Sequence, residues 1–250
     1  MPLTVAALNR SGNALRRLGI DRPRLDRDSL IDAAIGRAGS ESFGSWPFEE
    51  PLDRLLLAYE GEAALSTVGR LSVRELLVSL LANLIDLESE RKEKPAITAQ
   101  TIDAPVFITG LPRTGTTLLH GLIAQDPGVR VPMTWEVMYP AGFEYTAPEI
   151  ASARRRTNAR LTWANRLAPE FRRIHEIDAD LPQECIAIMA QGLFSIQFHT
   201  THNVPSYEDW FEQHGQQHAY EFHHRVLQHL QAKSPAGRWV LKAPGHLFGL

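Results

Sequence analysis

A second cysteine is missing from this chain of 250 residues; Cys185 stands alone. An internal disulfide is therefore excluded, as is a zinc site built on paired thiolates. A reducing, cytoplasmic setting is the expectation. A surplus of positive charge is missing too. Lys and Arg number 26 against 29 Asp and Glu, a formal net charge of -3. Nothing global attracts nucleic acid, and any anion must be held by local geometry. No apolar run approaches the ~20 residues needed to cross a bilayer. Beyond the N-terminus the most apolar stretch, 76–85, is broken by Ser79 and Asn83. The N-terminus does not read as a secretory leader, because Arg10, Arg16 and Arg17 follow its short apolar stretch instead of preceding it. Peripheral contact with lipid and assembly into a homo-oligomer stay open. Internal repeats and low-complexity tracts are also lacking. What the chain does have is 44% hydrophobic residues, enough for a sizeable core.

Residues 1–100 read as helices only. Ser72-Val73-Arg74-Glu75 has the form of a capping box, and Leu76, Leu77, Leu80, Leu81, Leu84 and Leu87 follow at helical spacing. Charge crowds in over 88–94, and Pro95 predicts the end of that helix. An earlier helix is predicted over about 52–65, with Leu55, Leu56 and Tyr59 inward. At Pro105 the pattern changes. Val106-Phe107-Ile108-Thr109 is a short β-rich run that suits a buried parallel strand. It leads into Gly110-Leu111-Pro112-Arg113-Thr114-Gly115-Thr116-Thr117 and then a helix over 118–125. Further strands are predicted at 129–131 and 238–242. Between 148 and 230 helices dominate, one opening at Pro182-Gln183-Glu184 and another at Tyr207.

Strand, glycine-bounded loop, helix is the arrangement that cradles a phosphate. Gly110 and Gly115, followed by Thr116-Thr117, match the phosphate-loop template at every fixed position but one: Thr116 stands where the template has lysine. That lysine reaches the β- and γ-phosphates of a nucleoside triphosphate. Nor is a magnesium-holding aspartate evident after the later strand, which runs into Lys242. The loop therefore suits a single 5′-phosphate without a metal, with cationic help from Arg113 and Lys242.

Residues 112–117 resemble the 5′-phosphosulfate loop of the sulfotransferases that use 3′-phosphoadenosine 5′-phosphosulfate (PAPS), the bacterial branch in particular. The cytosolic enzymes carry Pro-Lys-Ser-Gly-Thr-Thr there, so Arg113 matches the family lysine and Thr114 its serine. The likeness continues in Thr134-Trp135-Glu136, in Leu181-Pro182-Gln183-Glu184-Cys185, and in Trp239-Val240-Leu241-Lys242-Ala243-Pro244-Gly245-His246. It covers roughly residues 105–250. The helical segment 1–100 resembles the leader of the same branch and carries no chemistry in this reading.

The resemblance implies a P-loop-type α/β fold, a parallel sheet with helices on both faces. The core would occupy 101–250, with a large helical insertion over 148–232 binding the acceptor. It implies transfer of a sulfuryl group from PAPS to a hydroxyl or amine of a small apolar acceptor (an alcohol, phenol or lipid), leaving adenosine 3′,5′-bisphosphate (PAP), with no metal. Leu111, Pro112, Arg113, Thr114, Gly115, Thr116 and Thr117 would hold the donor, and Lys242 would neutralise the sulfuryl oxygens. Glu136 is the first choice for the base; Trp135, Val137, Met138 and Tyr139 around it offer an apolar setting that favours proton uptake. His246 is the second, although it lies further from Lys242 than the family histidine from its lysine. The family's 3′-phosphate ligands, an Arg and a Ser, are expected beyond residue 250, so the chain is expected to be the N-terminal part of a longer protein.

Three features invite other readings. His214, His218, His223, His224 and His229 crowd one stretch but lack a carboxylate motif, and are expected on a polar helix face. Arg154, Arg155, Arg156 and Arg160 are expected on a solvated face, with contact to an anionic substrate or membrane as the lesser alternative. Phe194, Ile196, Phe198, Trp210 and Phe211 are expected in the core, with an acceptor-pocket wall as the alternative. Two different functions also fit the loop: a degenerate magnesium-dependent nucleotide kinase or NTPase, and a non-catalytic nucleotide-binding remnant.

Overall fold

The structure, a computed structural model, describes residues 3–17, 23–167, 176–235 and 237–249. Helices come first: α1 (Leu3–Arg17), α2 (Arg27–Ala38), α3 (Glu49–Gly61), α4 (Thr67–Glu93) and the one-turn α5 (Pro95–Thr98). Asp26 caps α2 by accepting the Ser29 amide, and Gly39 ends it in the left-handed region at φ 73°. Helix α3 lies three to four residues earlier than predicted, but buries Leu55, Leu56 and Tyr59 as expected.

Helix α4 does not start at the box at 72–75. Ser66 caps it, Oγ accepting the Gly69 amide at 3.2 Å, and Ser72 lies inside the helix. A tertiary pair selects the earlier start: Arg70, 3% exposed, forks onto both carboxylate oxygens of Glu60. Glu75 is thereby released from capping and turns outward to Arg37 and Arg160.

The second part opens with β1 (Val106–Ile108), the glycine-bounded loop and α6 (Thr116–Ile123), then β2 (Val129–Arg130) and α7 (Thr134–Met138). There follow α8 (Ala147–Leu167), α9 (Cys185–Ala190), α10 (Gln197–Thr201), α11 (Pro205–His214) and α12 (Gln216–Lys233). Strand β3 (Arg238–Lys242) and a 3₁₀ helix (Pro244–Gly249) end the described chain. The three strands are parallel in the order β1-β3-β2, with Ile108 beside Lys242 and Arg130 beside Trp239. Strand β1 is not buried as predicted. Val106 is 40% and Phe107 44% exposed, because β1 is an edge of the described sheet and has β3 on one side only.

The largest core cluster draws on both parts of the chain: Leu77, Leu81 and Leu84 of α4 share it with Ile188, Phe222, Leu227 and Trp239. Polar ties cross the same boundary. Trp46 Nε1 donates to the Gly192 carbonyl (2.9 Å), Arg225 pairs with Glu88 (2.9 Å), and Gln228 Nε2 donates to the carbonyls of Thr98 and Gln100. Phe194, Phe198, Trp210 and Phe211 are buried in this core, with Ile196 packed against it. The histidine-rich stretch is two helices divided at Gly215. His214 and His224 are exposed, but His223 and His229 are buried, so the polar-face expectation fails for that pair. Facing the core is what puts them there: α12 turns Phe222, Val226 and Leu230 inward beside them. Among the described residues no helix is long and apolar enough to cross a membrane.

Candidate active site

The site lies at the carboxyl ends of β1 and β3, which run side by side. The Ala243 amide donates to the Ile108 carbonyl (3.3 Å), and Thr109 Oγ1 donates to the Pro244 carbonyl (3.4 Å). The loop leaving β1 is thereby set against the residues that follow β3, where ligands bind in open parallel sheets.

The loop's shape comes from three left-handed residues. Gly110 (φ 157°), Arg113 (φ 68°) and Gly115 (φ 88°) turn the backbone back on itself. Thr114 Oγ1 closes the turn by donating to the Leu111 carbonyl at 2.7 Å. At Gly110 a Cβ would press on Thr114 Oγ1 at 3.3 Å, whereas at Gly115 it would meet only open space. Gly115 is thus needed for its dihedral, and it opens α6 with no side-chain cap. The first amides of α6 have no intrahelical acceptor and point into the concavity, at the positive end of the helix. Leu111, Pro112, Arg113, Thr114 and Gly115 are exposed, so the cradle opens to solvent. His120 ties α6 to the sheet through Nε2 and the Val240 carbonyl (3.2 Å); burial lowers its pKa. These features fit a single phosphate group held by backbone amides.

Lys242, 3% exposed, reaches from β3 toward this loop. Its Nζ donates to Thr117 Oγ1 at 3.2 Å and to Glu184 Oε1 at 2.5 Å. Thr117, Lys242 and Glu184 therefore form one connected row. Glu184, just before α9, also lines a cavity of about 1450 Å³ bounded by α1, α4, α8 and α9. The sequence shows Glu184 only at a helix start and within a run that resembles the family; the pairing with Lys242 gives it a place in the site.

The other two predicted residues are hydrogen-bonded to groups outside this row. Glu136 is 2% exposed, and both oxygens are taken by the Arg130 guanidinium, one of them also accepting the Met133 amide at 2.9 Å. The apolar setting expected for it is corrected to a buried ion pair. Arg130, stacked 4.8 Å over the Trp239 ring, is what the sequence reading overlooked. His246 has Nδ1 2.9 Å from the Tyr220 hydroxyl, Phe107 packs edge-on at 4.8 Å, and the charge of Glu184 acts on the ring. Burial lowers its pKa to about 4, so the ring is neutral at pH 7. Burial likewise pushes the Cys185 thiol up to about 12, which makes it a packing residue rather than a nucleophile. The arginine run divides: Arg154 pairs with Asp180 at 2.8 Å, whereas Arg160 donates to Glu75 and Ser79 at 2.6 Å on the cavity wall. Among the described residues no group of three or more His, Cys, Asp or Glu is placed to hold a metal ion.

A parallel sheet bearing a phosphate-type loop places the chain among α/β proteins of P-loop-like fold. Within that fold the chain belongs to the sulfotransferase family, whose model matches residues 105–250. The chain is similar to the crystal structure of sulfotransferase STF1 from Mycobacterium tuberculosis H37Rv: 32% identity, TM-score 0.78, covering 89% of this chain and 62% of that one. The fold is also that of sulfotransferase STF9 from Mycobacterium avium, at 24% identity and TM-score 0.74, covering 90% of this chain and 58% of that one. The chain thus spans about three fifths of the length of these two proteins. No curated protein sequence matches it.

Proposed function

We propose that this protein transfers a sulfuryl group from PAPS to a hydroxyl (or amine) of a small, apolar acceptor, releasing PAP. The observation that carries this reading is the row Thr117–Lys242–Glu184, which runs from a phosphate-type loop to the wall of a large cavity. The donor, when bound, supplies a sulfuryl group activated on its 5′-phosphate: a bond forms from sulfur to the acceptor oxygen, the bond to the phosphate oxygen breaks with its electron pair, and the acceptor's proton is released.

This chain's residues meet each need. The first amides of α6, with Thr116, Thr117 and Arg113, hold the 5′-phosphate, and Leu111, Pro112, Thr114 and Gly115 set the loop around it. Lys242 places positive charge where negative charge builds on leaving, the term on which such transfers chiefly depend. Glu184 faces the acceptor and takes its proton. When it does so, Lys242 loses its carboxylate partner and its full charge turns to the phosphate side. Glu136, held by Arg130, and His246, held by Tyr220, act as supports: the first anchors β2 and α7, the second fixes the segment after β3.

Calorimetric titration with PAP, with and without magnesium, tests the reading. Binding that needs no magnesium and weakens in Arg113→Ala is expected. Magnesium-dependent binding of ATP or GTP in place of PAP would identify a nucleotide kinase or NTPase. PAP binding without turnover on any acceptor would identify a binding remnant.

A further inference from the structure

The cavity beside Glu184 is larger than the ~300–1,000 Å³ typical of sites for drug-sized ligands; it measures about 1450 Å³. Its apolar wall includes Leu8 of α1, Leu71, Leu76 and Leu80 of α4, Trp163 of α8 and Ile186 of α9. Three of these are conspicuously open: Leu8 is 51%, Leu71 47% and Trp163 59% exposed. Apolar side chains turned into a cleft rather than into the core mark a surface built for an apolar guest. Most of the polar groups on the wall are already spent on one another. Arg160 donates to Glu75 and Ser79, the Gln191 amide bridges Asn83 and the Val137 carbonyl, and the Thr200 and Thr201 hydroxyls donate to the Gln197 carbonyl. A sugar, with a hydroxyl on nearly every carbon, would find few partners here and would leave its own groups unpaired. Ser72, Arg166 and Gln197 also border the cavity, and the polar end that adjoins Lys242 is Gln183–Glu184.

We propose that the acceptor is a lipid alcohol: a long apolar body lying along α1, α4 and α8, with a single hydroxyl at Glu184. This rests on the sulfotransferase reading and narrows its acceptor. It also gives a task to the N-terminal helical segment, which supplies one wall of the acceptor site. In the reaction the alcohol oxygen attacks sulfur as its proton passes to Glu184, giving a sulfate monoester and PAP.

Equilibrium dialysis of the protein without donor, using radiolabelled hexadecanol, cholesterol, octanol and glucose, tests this. Saturable binding of hexadecanol or cholesterol is expected, and which of the two binds better tells an acyl-type chain from a fused-ring body. Octanol is expected to bind at least about tenfold more weakly, since each buried methylene is worth ~0.8 kcal/mol, and glucose not at all. Two variants localise the site. Ala164→Trp fills the cavity and Leu71→Lys charges its wall; both positions are exposed, so folding is retained. Each is expected to weaken long-alcohol binding about tenfold or more while leaving PAP titration unchanged. Glucose binding in preference to the long alcohols overturns the proposal, as does long-alcohol binding that neither variant weakens. If PAP binds and no long alcohol does, the acceptor class falls and the sulfotransferase reading stands. If a long alcohol binds to a protein that ignores PAP, the acceptor role falls with that reading.

Discussion

At Arg113 the backbone sits at φ 68°, a conformation uncommon outside glycine, asparagine and aspartate, within the loop that faces the sheet edge. Loss of one charge-assisted hydrogen bond costs ~1.5–3 kcal/mol, so Arg113→Ala is expected to weaken PAP binding roughly 10- to 150-fold by calorimetry. Glu184→Gln is expected to lower kcat by ~10²–10⁴ with the acceptor KM nearly unchanged, and Glu184→Asp to restore part of the rate. A pH–rate comparison with Glu136→Gln and His246→Ala separates the three candidates for the proton, and a larger loss of kcat in Glu136→Gln would return the role to Glu136. Two buried histidines bear on stability. Burial, with His246 and His224 nearby, lowers the His223 pKa to about 3, and burial lowers that of His246 to about 4. An unfolded histidine titrates near ~6.5. Below that pH the unfolded chain takes up protons that the folded chain refuses. Their contribution is therefore complete above about 6.5 and is lost as pH falls toward about 4 for His246 and about 3 for His223. His223→Leu removes one of them, and its urea midpoint is expected to fall less steeply than the parent's between those limits; equal slopes would disprove the linkage.

Helix starts show what a single element can and cannot settle. Two serines compete to cap α4, and local chemistry favours the box at 72–75; the pairing of the buried Arg70 with Glu60 decides for Ser66. Ser66→Ala is expected to cost ~1 kcal/mol in denaturant unfolding, and Ser72→Ala no more than about 0.5 kcal/mol. Equal losses would mean the helix begins where the sequence pattern places it. By contrast, the loop before α6 was legible in advance, because Gly110 and Gly115 are demanded by backbone dihedrals within a few residues. The shift of α11 to Pro205 has a local cause too: proline is suited to the first helical turn, where its missing N–H costs nothing.

On the scale of the molecule, α4 is the element that joins the two parts of the chain, since one core holds residues of both. Leu84 is fully buried in that core. Leu84→Ala is expected to lose ~2–5 kcal/mol, with far-ultraviolet circular dichroism and tryptophan fluorescence falling in a single transition. Separate transitions would mean that the helical segment and the sheet unfold independently. The sequence by itself determined the strand–loop–helix unit, the strand ending in Lys242 and the likeness to sulfotransferases, because each depends on dihedrals and patterns within a short span of chain. Only the tertiary structure decided that Glu184 meets Lys242, that Arg130 takes Glu136, and that the first helices form a wall of the cavity. Glu184 and Lys242 are 58 residues apart, and Arg130 and Glu136, six apart, meet only through the turn from β2 into α7; in both cases the partner is selected by packing and by the need to match buried charge, which no local pattern records.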